Sequence, residues 1–362
     1  MSSSISRALL LLAGLCSLVP GSWAEDLNHK DGAFHDHDHH EFVICYNVFY
    51  NVFDLAFAFY REPASWSKTT NTLLSPISIV TAFAMLSLGA RGSTLIQILE
   101  GLNFNLGVVS EAHIHQCFQV LLHIFQHPDH QLQMTIGSSL FVSDDLVLMD
   151  QFVQNVKELY HTRVISINFK NTKHAKKQIN NHVEKESHGE IVNLVKNLEK
   201  DTALALVNYI SFLGDVMAFF ILPDPEKMQQ LEEGLTQEHF NKILGTIDQK
   251  SARIHFPRLT ISATYDLRSI LSTLGITKIF SDEADLSGVT EVASIKLSAA
   301  VHKAVLTISD ERTETRWATD LDDSAWENVP TIKFNRPFLL FIREENTNIP
   351  LFVGKVLNPE QH

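Results

Sequence analysis

A chain of 362 residues with 45% apolar and 20% charged side chains can bury a sizeable core, as a globular protein does and a disordered one does not. Its 29 Lys and Arg against 42 Asp and Glu leave a formal charge of −13. Phosphate binding needs the opposite footprint, so nucleic acid is excluded as a default partner.

Residues 1–24 read as a secretory signal. Arg7 supplies the positive end, Ala8 to Val19 the apolar run, and Ser22-Trp23-Ala24 a small-x-small cleavage site. That run is too short to span a bilayer, and no later segment qualifies, so no membrane role is expected. Cys16 would leave with the signal. Cys45 and Cys117 then allow one bridge in an oxidising compartment, and the sequence leaves open whether they meet. No Asn-x-Ser/Thr sequon occurs.

Residues 25–46 read as a flexible His-rich tail containing His35-Asp-His-Asp-His-His40. Clustered imidazoles and carboxylates have zinc- and copper-binding chemistry. An unpacked tail does not fix ligand geometry, so the expectation is compositional bias, with no metal and no cofactor. A single domain is expected over 47–362.

An amphipathic helix is predicted over Asn47–Tyr60, stopping near Pro63. Ser75 caps the next helix, Pro76 suits its first turn, and Ile77–Leu88 is apolar enough for full burial. Helices follow near Thr94–Gly101 and Glu111–Phe125, with Cys117 a core thiol on the latter. Gln131–Val142 reads as a strand, Asp150–Tyr160 as a helix, Thr162–Phe169 as a strand and Asn171–Ser187 as a polar surface helix. The continuous apolar run Thr202–Phe212 predicts a central strand buried on both faces. Val216–Leu222 is another strand, and helices fit Glu226–Glu233 and Gln237–Leu244. Strands are predicted over Arg253–Ile261 and Ile295–Ile308, with a short helix at Tyr265–Leu274. The final strands are Thr331–Ile342 and its hairpin partner, turning at Glu344–Pro350. The class is α+β.

Asp310–Asn328 fits none of these elements. It holds seven acidic and two basic residues without apolar periodicity. A connection of that length inside a compact domain is uncommon and is usually functional or disordered.

Several motifs fall in one order: Asn71-Thr-Leu-Leu-Ser-Pro-Ile-Ser-Ile79, Leu86-Ser-Leu-Gly89, Leu140-Phe-Val142, Ile179-Asn-Asn181, Leu206-Val-Asn-Tyr209, Leu286-Ser-Gly288 and Ile332-Lys-Phe-Asn-Arg-Pro-Phe-Leu-Leu-Phe-Ile342. In that order they resemble the serpins, and within them clade A, the antitrypsin-like group. The resemblance runs from about Val48 to the end.

It implies about nine helices, three β-sheets and an exposed reactive loop at about 310–328. In inhibitory serpins that loop is bait for a serine protease. The protease is acylated at the loop, the loop's amino-terminal half inserts into the largest sheet as a new strand, and the dragged protease is distorted. The stored energy is that of a metastable native state. The resemblance therefore implies a suicide substrate and not an enzyme. No Gly-x-Ser-x-Gly elbow or His-Glu-x-x-His helix argues otherwise.

By the same resemblance, Ser75, Ser78, Asn208 and His302 form a hydrogen-bonded cluster under the opening of the main sheet. Arg258 and Asp310 form an ion pair near the top of the loop. The bond to be cleaved is Trp326-Glu327, which suits a chymotrypsin-like serine protease as partner. The chain is expected to be secreted as a monomer, with retention in the endoplasmic reticulum as the alternative.

Four departures from the family pattern stand out. The loop hinge Asp310, Glu311, Arg312, Thr313, Glu314, Thr315, Arg316, Trp317, Ala318 replaces a Gly and a run of small residues. Side chains of a strand alternate faces, so if Thr313 points inward, Thr315, Trp317, Thr319, Leu321 and Asp323 do too. A block of roughly fifty residues, a large part of a domain, is missing near 213–215 and takes strands of the second and third sheets with it. Lys68, Gly107 and Asp215 with Met217 erase three sugar sites of the relatives. Glu327 and the acidic run Asp320, Asp322, Asp323 suit no general protease. These changes predict weak or absent inhibition. The alternatives are a non-inhibitory serpin such as a hormone carrier, which in some relatives binds between a helix and the third sheet, or a retained, inactive product.

Overall fold

The computed structural model describes residues 11–12, 36–66, 69–126, 133–213, 217–246, 253–291, 294–308, 330–344 and 347–358. After the two-residue strand β1 (Leu11–Leu12) comes α1 (Asp36–Trp66), longer at both ends than its sequence signals. It begins at Asp36 and not Asn47, so residues 36–46 of the expected tail are helical, and the earlier part of that tail lies outside the described residues. Cys45 already faces the core and is bonded to Cys117. At the other end the helix continues past Pro63. A proline removes one N–H but leaves the following turn free to close, here through Ser65 Oγ to the Glu62 carbonyl at 2.7 Å and Trp66 Nε1 to Glu62 Oε1 at 3.1 Å.

β2 (Thr72–Leu74) leads into α2 (Pro76–Ser87), whose Ser75 cap accepts from the Ser78 N–H at 3.3 Å. Every residue of α2 is buried, as its apolar composition requires. The chain then forms α3 (Gly92–Gly101), α4 (Glu111–Gln126), β3 (Gln133–Ser143), α5 (Asp150–Tyr160), β4 (Val164–Ile167), α6 (Thr172–Glu186), β5 (Leu204–Leu213), β6 (Met217–Leu222), α7 (Met228–Gly234) and α8 (Gln237–Gly245).

Prolines divide two stretches that read as single strands. Arg253–Ile261 becomes β7 (Arg253–His255) and β8 (Leu259–Asp266), separated at Pro257. Asp266 Oδ1 then caps α9 (Leu267–Ser272) by accepting from the Arg268 N–H at 2.9 Å. After β9 (Leu297–Ile308), the stretch Thr331–Ile342 becomes β10 (Thr331–Lys333) and β11 (Phe338–Arg343), separated at Pro337. A proline within a run cannot donate to the ladder, so each run changes sheets there. β12 (Pro350–Val356) closes the hairpin with β11.

The described residues thus hold nine α-helices and three sheets. The large sheet has order β4-β3-β5-β9-β8, the second β1-β6-β11-β12-β2, and the third is the pair β10-β7. The main core lies between the large sheet, α2 and the second sheet, and a smaller one lies under α6 on the opposite face of the large sheet.

Candidate functional site

β5 and β9 are the central strands of the large sheet. They run parallel, in register from Leu204↔Leu297 to Phe212↔Leu306 with one irregularity near Leu204. β9 feeds the loop, since it ends at Ile308 and the chain is next described at Pro330. A segment that turned back from β9 and lay between β9 and β5 would run antiparallel to both. It would exchange one parallel seam for two antiparallel ones, which pair somewhat better per residue.

A polar knot pins that seam from below. Asn208 of β5 and His302 of β9 are register partners. Their side chains meet the start of α2, where Ser75 and Ser78, like His302, are wholly buried. Asn208 Oδ1 accepts from Ser78 Oγ at 2.9 Å and lies 2.6 Å from His302 Nδ1. His302 Nε2 accepts the Ser75 N–H at 3.1 Å, which assigns the proton to Nδ1 and makes it the donor to Asn208. Burial pushes the His302 pKa down to about 3, so the ring is neutral. The four residues grouped by resemblance therefore do meet.

The knot extends beyond those four. Asn208 Nδ2 donates to Ser138 Oγ at 3.0 Å and to the carbonyls of Ser78 at 3.1 Å and Gly137 at 3.3 Å. Ser138 and Gly137 were not singled out from the sequence. Their signal is the small polar trio Gly137-Ser138-Ser139 inside β3, which marks a close approach. A Cβ on Gly137 would sit 2.5 Å from the Tyr209 hydroxyl. Beside the knot lies a cavity of about 230 Å³, which reaches from Asn208 past Thr135 to Tyr160 and His182.

Other expected site residues fall elsewhere. Asp310, the rest of the hinge through Ala318, and Trp326 and Glu327 lie outside the described residues. Arg258 is described, on the exposed turn between β7 and β8, while its expected partner Asp310 is not. Lys68 and Asp215 are likewise outside.

The junction of the missing block also has a structural trace. β5 ends at Leu213 in the large sheet and β6 begins at Met217 in the second, so only residues 214–216 connect the two sheets. β6 pairs with β11 over five positions on one side. On its other side, among the described residues, it meets only Leu11 and Leu12, opposite Leu222 and Ile221. These two belong to the stretch read as a secretory signal. Among the described residues most of this edge therefore has no strand partner, in keeping with the loss of neighbouring strands.

The space between α1, α8 and the second sheet is filled by Phe53, Phe57, Phe219, Phe240 and Phe341, with ring centroids 4.6 to 6.5 Å apart. A void of about 10 Å³ lies beside Phe57, Phe240 and Phe341. In the third sheet, all three residues of β7 are exposed.

Comparison with known proteins agrees with this architecture. The family model described as "Serpin (serine protease inhibitor)" matches residues 51–219 and again 213–359, two segments that meet at the junction after β5. Human alpha-1-antitrypsin-related protein is 46% identical over 420 aligned positions covering all of both chains, and pig alpha-1-antitrypsin is also 46% identical over 420 positions with full coverage. Both alignments exceed the 362 residues of this chain, the excess falling on positions it lacks. Among solved structures, human thyroxine-binding globulin superposes with a TM-score of 0.79 at 32% identity, covering 87% of this chain and 99% of that one. A family match across both segments, full-length identity to antitrypsins and the three-sheet architecture together place this chain in the serpin family, a family of protease inhibitors and not of enzymes.

Proposed function

We propose that this chain is a secreted antitrypsin-type serpin whose loop a chymotrypsin-like serine protease cleaves at Trp326-Glu327 without being trapped. The reading rests on what the β5–β9 seam would have to accept. The inward face of that seam carries Leu206, Asn208, Ala300, His302 and Ala304, each at most 1% exposed. A strand entering with Thr313 inward brings Trp317 and Asp323 to that face. Overpacking a filled core costs about 1–3 kcal/mol. A carboxylate without a partner costs more, or takes up a proton. Arg312 also stands where a hinge needs backbone freedom. Trapping is a race between insertion and hydrolysis of the acyl bond, so each of these terms favours hydrolysis.

The domain assignment is part of the same proposal: a signal over 1–24 and one serpin domain beginning at α1. The Cys45–Cys117 bond supports passage through an oxidising compartment. The hormone-carrier alternative has little support, because the void beside the aromatic cluster under α8 is only about 10 Å³ and all three residues of β7 are exposed. Retention in the endoplasmic reticulum is the competing fate, favoured by the edge of β6 that has few partners among the described residues.

The test is a thermal melt before and after loop cleavage. Failed insertion predicts a Tm within a few degrees of the intact chain. For a protein of this size about 1 kcal/mol moves Tm by about 2 °C. A rise above about 10 °C would mean that the loop inserts and would overturn the proposal.

A further inference from the structure

Away from the loop and the polar knot, one group of side chains has the composition and spacing of a metal site. Cys45 lies on α1, and His113 and Cys117 lie on α4. The four-residue spacing of His113 and Cys117 stacks them on one face of α4. The Cys45–Cys117 bond fastens that face to α1. Cys45 and Cys117 are buried, and His113 is half-buried. Their three donor atoms all lie within 4.8 Å of one another, and His113 Nε2 is 3.6 Å from Cys117 Sγ.

That separation has a chemical reading. A tetrahedral zinc ion with about 2.3 Å to sulfur and about 2.05 Å to nitrogen has a sulfur–nitrogen edge of about 3.6 Å. His113 and Cys117 therefore already stand at the separation of two ligands of one ion. In the disulfide state the sulfurs are spent on each other and the site is closed. Once reduced, they need only part to the sulfur–sulfur edge of such a site, about 3.8 Å.

We propose that Cys45, Cys117 and His113 form a redox-gated site for a soft or borderline divalent cation, with zinc the expected occupant. A dithiol reductant delivers two electrons and two protons to the disulfide, giving two thiols and its own disulfide. The cation displaces both thiol protons to solvent and takes neutral imidazole Nε2 as third ligand. Thiolate and imidazole together select zinc over magnesium or calcium. Water completes the fourth position from the side of His113. The site competes with the disulfide for the same sulfurs, so bound metal protects the thiols from oxidation. It is independent of whether the loop inserts.

The experiment is a cobalt(II) titration of the full chain with His37, His39 and His40 changed to Gln, which removes the other imidazoles of α1. The disulfide is opened with a water-soluble phosphine, itself converted to the phosphine oxide. The expected result is one cobalt per chain, with a thiolate-to-cobalt charge-transfer band and tetrahedral d–d bands that zinc abolishes. The oxidised chain and the Cys45→Ser/Cys117→Ser variant show neither band. His113→Ala weakens binding more than about tenfold, since even an outer-shell partner is worth that much. Absence of the thiolate band, or equal affinity in His113→Ala, overturns the proposal. So does unfolding of the reduced chain by circular dichroism, because only the folded α1–α4 pair assembles the site.

Discussion

Replacing Asn208 with Ala tests the polar knot at its centre. Asn208 is 1% exposed, and its amide serves three elements at once: β3 through Ser138 and Gly137, α2 through Ser78, and β9 through His302. Truncation removes the acceptor of two buried donors, Ser78 Oγ–H and His302 Nδ1–H. A buried polar group left without a partner costs about 1–3 kcal/mol. Ser78 Oγ–H can rotate toward another acceptor, but the imidazole N–H is held in place by the Ser75 contact. The neighbouring cavity of about 230 Å³ also gives water a route to the gap, which lowers the cost. We therefore expect a loss of about 2–4 kcal/mol, a sizeable share of the 5–15 kcal/mol that folded domains possess. Urea unfolding followed by tryptophan fluorescence reads it as a lower midpoint at an unchanged slope. The double variant Asn208→Ala/His302→Gln should recover part of the loss, because the orphaned imidazole donor goes with it. A loss below about 0.5 kcal/mol would refute the knot as a buried, mutually satisfied network.

Acid should weaken the same site. His302 is held at about 3 in the folded chain against about 6.5 unfolded, so the unfolded state takes up the proton first. Its contribution is intact above the unfolded pKa and falls as pH drops toward the folded one. Between about pH 7.5 and 5 the loss is about 2 kcal/mol, and His302→Gln should lack that part of the slope. Burial lowers His182 too, so a smaller residual slope of the same sign remains. Lys355 Nζ meets Glu232 Oε1 at 2.7 Å, and the same carboxylate accepts from Tyr60. Lys355→Met leaves that charge without its cation. With Glu232 20% exposed, the cost comes below the usual buried-pair figure, about 2–3 kcal/mol by chemical denaturation. A Cβ on Gly354 would run into the Thr72 carbonyl across the β12–β2 pair, so Gly354→Ala should cost about 1–3 kcal/mol and raise hydrogen exchange in β2. Opening the Cys45–Cys117 bond releases a 72-residue separation, worth about 4 kcal/mol in the chain-entropy account, and a reduced sample should melt correspondingly lower.

Much of this architecture is legible in the residues, for reasons specific to each element. α2 is apolar on every face and has Ser75-Pro76 at its start, so its burial and its cap follow directly. The run around β5 is apolar but for Thr202, Asn208 and Ser211, and its one amide, in a strand buried on both faces, must be satisfied by something. Its partners lie 70 to 130 residues away, which no local pattern encodes. Only the resemblance grouped Ser75, Ser78 and His302 with it, and that grouping missed Ser138. Helix ends were harder. α1 reads as beginning where its aromatic stripe begins, yet it starts at Asp36, with Cys45 already bonded to α4 ahead of that stripe. Pro257 and Pro337 were visible, but their effect, moving a strand from one sheet to another, depends on where the rest of the chain lies. The missing block is legible as an absence, and its trace among the described residues is the edge of β6, which pairs there only with Leu11 and Leu12.

The central claim is that the loop is cleaved faster than it can insert. It is tested most directly by mixing the purified chain with a chymotrypsin-like protease and boiling the products in detergent before electrophoresis. The account predicts that every cleaved chain ends at Trp326 and runs free of the protease, which stays active. A band at the summed mass of protease and serpin, with protease activity lost in proportion, would contradict it.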